Sequence, residues 1–364
     1  MKDKLFIISN ESIYIDKNNR FFCDNLDLKS IPEGLNKYFE VNIIGRYSNK
    51  KRTKKIELKK INVYKNIFAY LYCIFKKFTE QKSKYLIISL SPYTFLASIL
   101  LKLFLKRHFI YLRSDGYEEY KSILGNLGKL IYHLMFSISI FRANLIACRE
   151  HLLRKNKGNI VNPSQLNDNW FKDQKEINQQ TIKLLYVGRI RVEKGIFSLA
   201  EILKDKDYNL TIVTPELDIG LKEKNKNINI ISFENYNDSI IKFYDEHSIF
   251  ILPSYTEAHP QVLDESLARL RPVIVFNEIK HVKRDREGVF VCERNFQSLK
   301  KTINYITNNY QRIVDKIKVN KLPTKKNFID ELKNILTNKK WVLKNEKLYD
   351  NSLWWKRKKN GQNN

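Results

Sequence analysis

Two doubly wound parallel α/β sheets, facing each other across a cleft, are the fold this sequence predicts, and three features predict it. Short apolar runs of strand length alternate with segments of helical period along the chain. The alternation occurs twice, separated by residues 162–181, which are polar and rich in Asn, Gln, Asp and Lys, as an exposed linker should be. The chain has 364 residues and 43% apolar content, enough for two cores of ordinary size.

In the first half, strands are expected at residues 5–8, 41–44, 86–90, 109–112, 145–147 and 160–161. The opening MKDKLFIISN has an apolar run of strand length that polar residues soon interrupt, unlike a signal peptide. The most membrane-like stretch, 85–105, contains Ser89, Ser91, Pro92, Thr94, Ser98 and Lys102. It therefore reads as a strand, a turn and a helix over 93–105, not as one spanning helix. That helix and residues 127–141 suit core packing or a membrane surface equally well. In the second half, strands are expected at 182–187, 210–213, 228–231, 249–252 and 273–276, with helices near 197–203, 240–245 and 260–270.

The net charge of +27 implies an anionic partner: nucleic acid, an acidic membrane surface or phosphorylated ligands. Composition does not choose among them. Cys23, Cys73, Cys148 and Cys292 lie far apart, as ordinary buried thiols in a reducing cytosol do, and show no zinc-site spacing. No G-x-G-x-x-G, Walker or H-E-x-x-H pattern occurs, so a standard dinucleotide site, a Walker loop and a catalytic metal are all unsupported.

Residues 249–276 read as strand, loop, helix, strand. Pro253 closes the first apolar run, Pro272 opens the second, and Pro260 suits a first helical turn followed by Val262, Leu263, Leu267 and Leu270 at helical spacing. The loop thus ends at a helix N-terminus, where free N–H groups and the dipole favour an anion such as a diphosphate. Glu257 and Glu265, with seven residues between them, can flank one bound molecule, and carboxylates accept hydrogen bonds from sugar hydroxyls.

The pattern Pro-Ser-x-x-Glu, seven residues, Glu and then Pro-Val-Ile resembles the donor-site signature of retaining GT-B glycosyltransferases, especially glycosyltransferase family four. The stretch YVGRIRVEKG at 186–195 is similar to that family's Gly-Arg-x-x-x-x-Lys-Gly loop. The resemblance implies a GT-B fold of two Rossmann-like domains. It also implies that Arg189 and Lys194, with Gly188 completing the loop, hold the donor diphosphate, fixed cations standing in place of a metal. Glu265 would clamp the ribose hydroxyls, and Glu257 would lie beside the donor sugar in a stabilising and positioning role. Ala258 stands where the family usually has Gly, with its N–H within reach of the donor sugar. His259 and Pro260 replace aromatic or Gly positions, and Leu270 replaces a small helix-end Gly. In the first half, Asp115 takes the place of a family His and would accept from a sugar hydroxyl or assist acceptor deprotonation; an Asx turn before Gly116 explains the same residues. Ser9, Asn10 and Glu11 stand where the family has a Gly-Gly loop.

The expected organisation is an acceptor-side domain over 1–165, a donor domain over 181–335, and a basic amphipathic helix and tail over 336–364 that would rest on anionic lipid or pack back on the first domain. The expected activity is sugar transfer from a nucleotide diphosphate sugar to a glycan or lipid-linked acceptor, retaining, without metal or other cofactor, in surface polysaccharide or lipopolysaccharide synthesis. It would occur in the cytoplasm or at the inner face of the membrane, with no nucleic acid as partner. The alternatives are a relative that binds a sugar nucleotide without turnover and a basic nucleic-acid-binding α/β protein.

Overall fold

The computed structural model describes residues 2–80, 82–176, 182–215, 227–232 and 240–338. Among these, two sheets are present. In the first, β1 (Lys4–Ile15) is central, with β3 (Glu40–Ser48) and β5 (Ile61–Tyr64) to one side and β6 (Ser83–Ile88), β7 (His108–Leu112), β8 (Asn144–Ala147) and β9 (Gly158–Ile160) to the other, all parallel. β2 (Phe21–Cys23) and β4 (Lys54–Ile56) extend the far end of β1 as an antiparallel flap. These two short strands and β5 are unexpected additions, too brief and too rich in charged neighbours to carry a periodic signal.

Period-two alternation decides which helices cover which face. Phe6 and Ile8 point to the layer made by α2 (Ile67–Lys76), α3 (Pro92–Leu103) and α4 (Gly116–Ile140). Leu5 and Ile7 point to the opposite layer, where α1 (Leu26–Leu35) meets Phe328, Leu332 and Leu336 of the last described helix, Lys325–Thr337. β1 is longer than its apolar run because its register with β3 shifts between Ile8 and Ser12, and the strand continues past the irregularity. Ser9, Asn10 and Glu11 thus form a bulge inside a strand rather than a loop after it.

The second sheet has β10 (Lys183–Val187), β11 (Asn209–Thr214), β12 (Ile228–Ser232), β13 (Ile249–Leu252), β14 (Val273–Phe276) and β15 (Val289–Cys292) in the order 12-11-10-13-14-15, all parallel. Helices α5 (Ile196–Leu203), α6 (Ile241–Asp245), α7 (Gln261–Ala268), α8 (Phe296–Asn308) and α9 (Tyr310–Ile317) accompany it, followed by α10 (Lys325–Thr337). The helix expected over 260–270 is shorter. Pro260 sits at its N-cap and Arg269 at its C-cap, and Leu270 follows at φ +61. That left-handed backbone costs a non-glycine residue roughly 1–2 kcal/mol, and the Leu270 side chain offsets it by packing on the domain core.

Two boundaries differ from expectation. The crossing segment is exposed at 167–169 and 171–176, as expected, but it is also anchored, because Leu166 and Trp170 are buried in the C-terminal core. Its carbonyls at Trp170, Lys172 and Asp173 accept from buried Arg269, which also pairs with Asp245 at 2.8 Å. Polar composition does not reveal that second anchor because the backbone, not the side chains, makes the contacts with Arg269. α10 returns to the N-terminal domain, and Glu331 accepts the Asn162 N–H at 2.8 Å. The C-terminal unit thus ends before Lys325 and not at 335. The expected tail helix lies, from residue 339 onward, outside the described residues.

Candidate active site

Open parallel sheets bind ligands beyond their carboxyl ends, where the strand order reverses. In the C-terminal sheet that point lies between β10 and β13. The loops leaving these two strands are the two sequence motifs, 188–195 and 253–259.

The loops interlock. Tyr255 N–H donates to the Glu193 carbonyl at 2.9 Å. Gly195 has φ +66, and a Cβ there would stand 1.9 Å from the Pro253 carbonyl oxygen, so only glycine allows this approach. Lys194 Nζ reaches Glu257 Oε1 at 2.6 Å, and Ser254 Oγ donates to the same oxygen at 2.7 Å. A charge-assisted pair flanked by a hydroxyl is a rigid arrangement. Gly188 N–H caps the Val213 carbonyl, and Arg189, whose carbonyl accepts from Tyr186 Oη, is exposed beside the pair.

Glu265 is buried on α7 and accepts from Tyr244 Oη at 2.8 Å. Burial raises its pKa to about 7, the tyrosine opposing and Asp264 reinforcing the shift. At neutral pH this carboxyl therefore exchanges between an acceptor-only and a donor-bearing form.

Three expected positions behave differently. The His259 side chain is only 2% exposed and turns inward, 3.5 Å from Asp264 and 3.3 Å from Arg284. Any contact with a donor therefore falls to its backbone. Ala258 packs against the N-terminal core, and its carbonyl accepts from Arg149 Nε at 2.7 Å across the domain boundary. Asp115 is the N-cap of α4: it accepts from Tyr117 N–H at 3.1 Å and from Arg154 at 2.9 and 2.8 Å. Its carboxylate is engaged in a cap and an ion pair, as the Asx-turn reading expects, and not offered as a base.

Sequence reading missed several groups. His281 Nε2 lies 2.8 Å from the Glu257 carbonyl, which it reaches as a donor. Arg294 pairs with Glu278 at 2.6 Å and stacks on Tyr255 at 4.1 Å, underpinning the second loop. On the N-terminal side, Arg113 donates to Ser89 Oγ at 3.0 Å and pairs with Glu11 at 3.2 Å and Asp27 at 3.5 Å. Burial raises the Asp27 pKa, with Arg113 opposing the shift. This cluster occupies the N-terminal sheet's own switch point, between β1 and β6. The only sequence signal for it was the interruption of an apolar run at 9–11.

Residues 168–321 match the family model described as Glycosyl transferases group 1. A Haemophilus influenzae protein described as an uncharacterized glycosyltransferase is 27% identical over 195 residues, 49% of this chain and 54% of that one. The Staphylococcus aureus capsular polysaccharide biosynthesis glycosyltransferase CapM is 27% identical over 214 residues, 49% of this chain and 56% of its own. The matched part is thus about half the length of these curated relatives. Among solved structures, WaaG, a glycosyltransferase involved in lipopolysaccharide biosynthesis, superposes with a TM-score of 0.63 at 14% identity, over 92% of this chain and 100% of that one. The chain has the GT-B fold, and its C-terminal domain is similar to the glycosyl transferases of group 1.

Proposed function

We propose that this protein transfers a sugar from a nucleotide diphosphate sugar to a glycan or lipid-linked acceptor in surface polysaccharide or lipopolysaccharide synthesis, with retention of configuration and without a metal. The observation that carries the reading is the Lys194–Glu257 pair, held by two interlocked loops at the switch point of the matching domain. As the bond to the departing diphosphate breaks, negative charge grows on its oxygens. Lys194 and Arg189 would receive it as cations, and the N–H groups opening α7 as dipoles. Glu257 keeps Lys194 positioned and offers its second oxygen to a donor hydroxyl. Ionised Glu265 accepts from the ribose. Asp115 stays outside the chemistry. The relatives named for capsule and lipopolysaccharide synthesis favour a polysaccharide or lipid-linked acceptor, and the basic charge favours work at the inner face of an anionic membrane.

The test is transfer of radiolabelled sugar from UDP-, GDP-, ADP- and CDP-sugars to bacterial lipid extracts and polysaccharide fragments. Transfer from one donor, lost in Lys194→Ala, is the expected result. Nucleotide binding without transfer to any acceptor would favour the non-catalytic relative.

A further inference from the structure

The layer formed by α2, α3 and α4 covers one face of the N-terminal sheet and leaves its own outer face apolar. On α4 the inward side, with Tyr132, Met135 and Phe136, is buried. A second stripe, one step around the helix, carries Leu127, Leu130, Leu134 and Ile138 at 63%, 55%, 55% and 47% exposure. A helix lying on a sheet needs one apolar stripe; this one has two. The outer patch continues at the end of α3, where Leu103 is 73% exposed and Phe104, half exposed, has its ring 5.1 Å from that of exposed Phe75 on α2. Single exposed apolar residues are ordinary, whereas a patch shared by three helices marks an interaction surface.

Charge selects the occupant. Residues 65–79, 92–107 and 121–142, which contain this face, hold nine Lys or Arg and no Asp or Glu. The acids of α4, Glu118 and Glu119, sit in its first turn, at the cleft end. At the other end Lys102 Nζ donates to the Ile138 carbonyl, and the Arg142 guanidinium lies 5.3 Å from the Phe141 ring. Cations at the rim of an apolar patch match an anionic lipid surface, where apolar groups enter and lysine and arginine meet phosphates. A second copy would bring the same sign of charge to the contact.

α4 is long and apolar enough to cross a membrane, yet it does not have the form of a span. Gly125, at φ 63 and ψ −148, breaks the helix. The part after the break is about 22 Å long, short of the roughly 30 Å hydrocarbon layer. Its inner side is also committed to the sheet.

We propose that the outer face of α2, α3 and α4 docks the protein flat on an anionic lipid bilayer. Because α4 starts at Asp115, at the carboxyl end of β7, docking there brings the mouth of the cleft to the lipid surface. This deepens the lipid-linked acceptor reading above and rests on it.

The test uses the full chain with vesicles of phosphatidylglycerol and phosphatidylethanolamine, against phosphatidylcholine, at moderate salt. Wild type is expected to co-sediment with the anionic vesicles, and the double variant Leu130→Glu, Leu134→Glu to partition at least tenfold less. The variant's melting-point rise with a nucleotide diphosphate (UDP, GDP, ADP or CDP) should be retained. As a second measurement, Leu134→Cys labelled with an environment-sensitive dye should shift to the blue on anionic vesicles, while Lys301→Cys on α8 should not; the native cysteines are all buried. Undiminished vesicle binding by the double variant, or no shift at position 134, overturns the proposal. So does a lipid-free dimer that the double variant abolishes while wild type ignores vesicles, which would assign the face to a second copy. Vesicle binding without any nucleotide response would leave the docking face standing and remove the donor reading instead.

Discussion

At the switch point of the C-terminal sheet the polar groups come chiefly from two loops that follow neighbouring strands; at that of the N-terminal sheet they come from four separate places. Lys194, Ser254 and Glu257 belong to the first kind. Glu11, Asp27, Ser89 and Arg113 belong to the second. The electrostatics differ as well. In the N-terminal cluster one guanidinium is shared by two carboxylates, while the C-terminal edge leaves Arg189 exposed beside its ion pair. The C-terminal edge is thus built to take an anion, and the N-terminal edge presents hydrogen-bonding groups in which carboxylates outnumber the guanidinium.

The largest effect should come from the frame of the C-terminal edge. Arg269→Ala takes the close guanidinium from buried Asp245, leaving it only Arg271 at 3.8 Å, and frees three carbonyls of the crossing segment. A loss of about 3–5 kcal/mol is expected, read as a lower denaturant midpoint. A loss below 1 kcal/mol would mean the crossing segment is held by other contacts.

Lys194→Ala should lower sugar transfer about 10²–10³-fold and cost about 1–3 kcal/mol of stability, since Glu257, 11% exposed, loses its cation and keeps only the Ser254 hydroxyl. Steady-state kinetics against the identified donor measure this. If transfer survived within threefold, the diphosphate would have to sit elsewhere.

Glu265 gives a pH signature confined to the C-terminal half. Its folded pKa of about 7 lies above the ordinary value of 4.5, so the folded state keeps a proton that the unfolded chain has released. Stability is therefore fullest below pH 4.5 and falls as pH rises to about 7, by about 3 kcal/mol at most. Glu265→Gln should flatten this slope when melting is followed between pH 5 and 8. Nucleotide affinity should rise over the same interval in wild type, as the ribose acceptor becomes ionised, and lose that dependence in the variant.

Arg113→Ala provides the counterpart on the other side. It leaves buried Asp27 short of a cation, for a cost of about 2 kcal/mol, and should raise the KM for acceptor while the donor KM stays put. A change in donor KM of similar size would erase the distinction between the two edges.

How much of this was legible in the sequence follows from the same contrast. β13 and β14 were predicted to the residue because each is an apolar run ended or opened by proline. The donor loops were legible because chain spacing and spatial proximity coincide there: each loop follows a strand directly, and the two strands are adjacent. The Arg113 cluster was not, since Glu11 and Arg113 are brought together only by the pairing order β1-β6-β7. Asp115 was visible as a residue at a strand end, but its capture by Arg154 depends on a turn whose position no periodicity records. His259 was named from its place in the motif; its inward turn is set by Asp264 and Arg284, which lie on two other elements. The two apolar stripes of α4 were visible as hydrophobicity alone, because composition does not say which side of a helix meets the sheet.

The most direct measurement is a thermal-shift panel of UDP, GDP, ADP and CDP on wild type, Lys194→Ala and Arg113→Ala. A ligand that binds only the folded state raises the melting point by mass action. A rise with one nucleotide that vanishes in Lys194→Ala and persists in Arg113→Ala is the predicted result. A rise that persists in Lys194→Ala, or disappears only in Arg113→Ala, would contradict the placement of the donor at the C-terminal switch point.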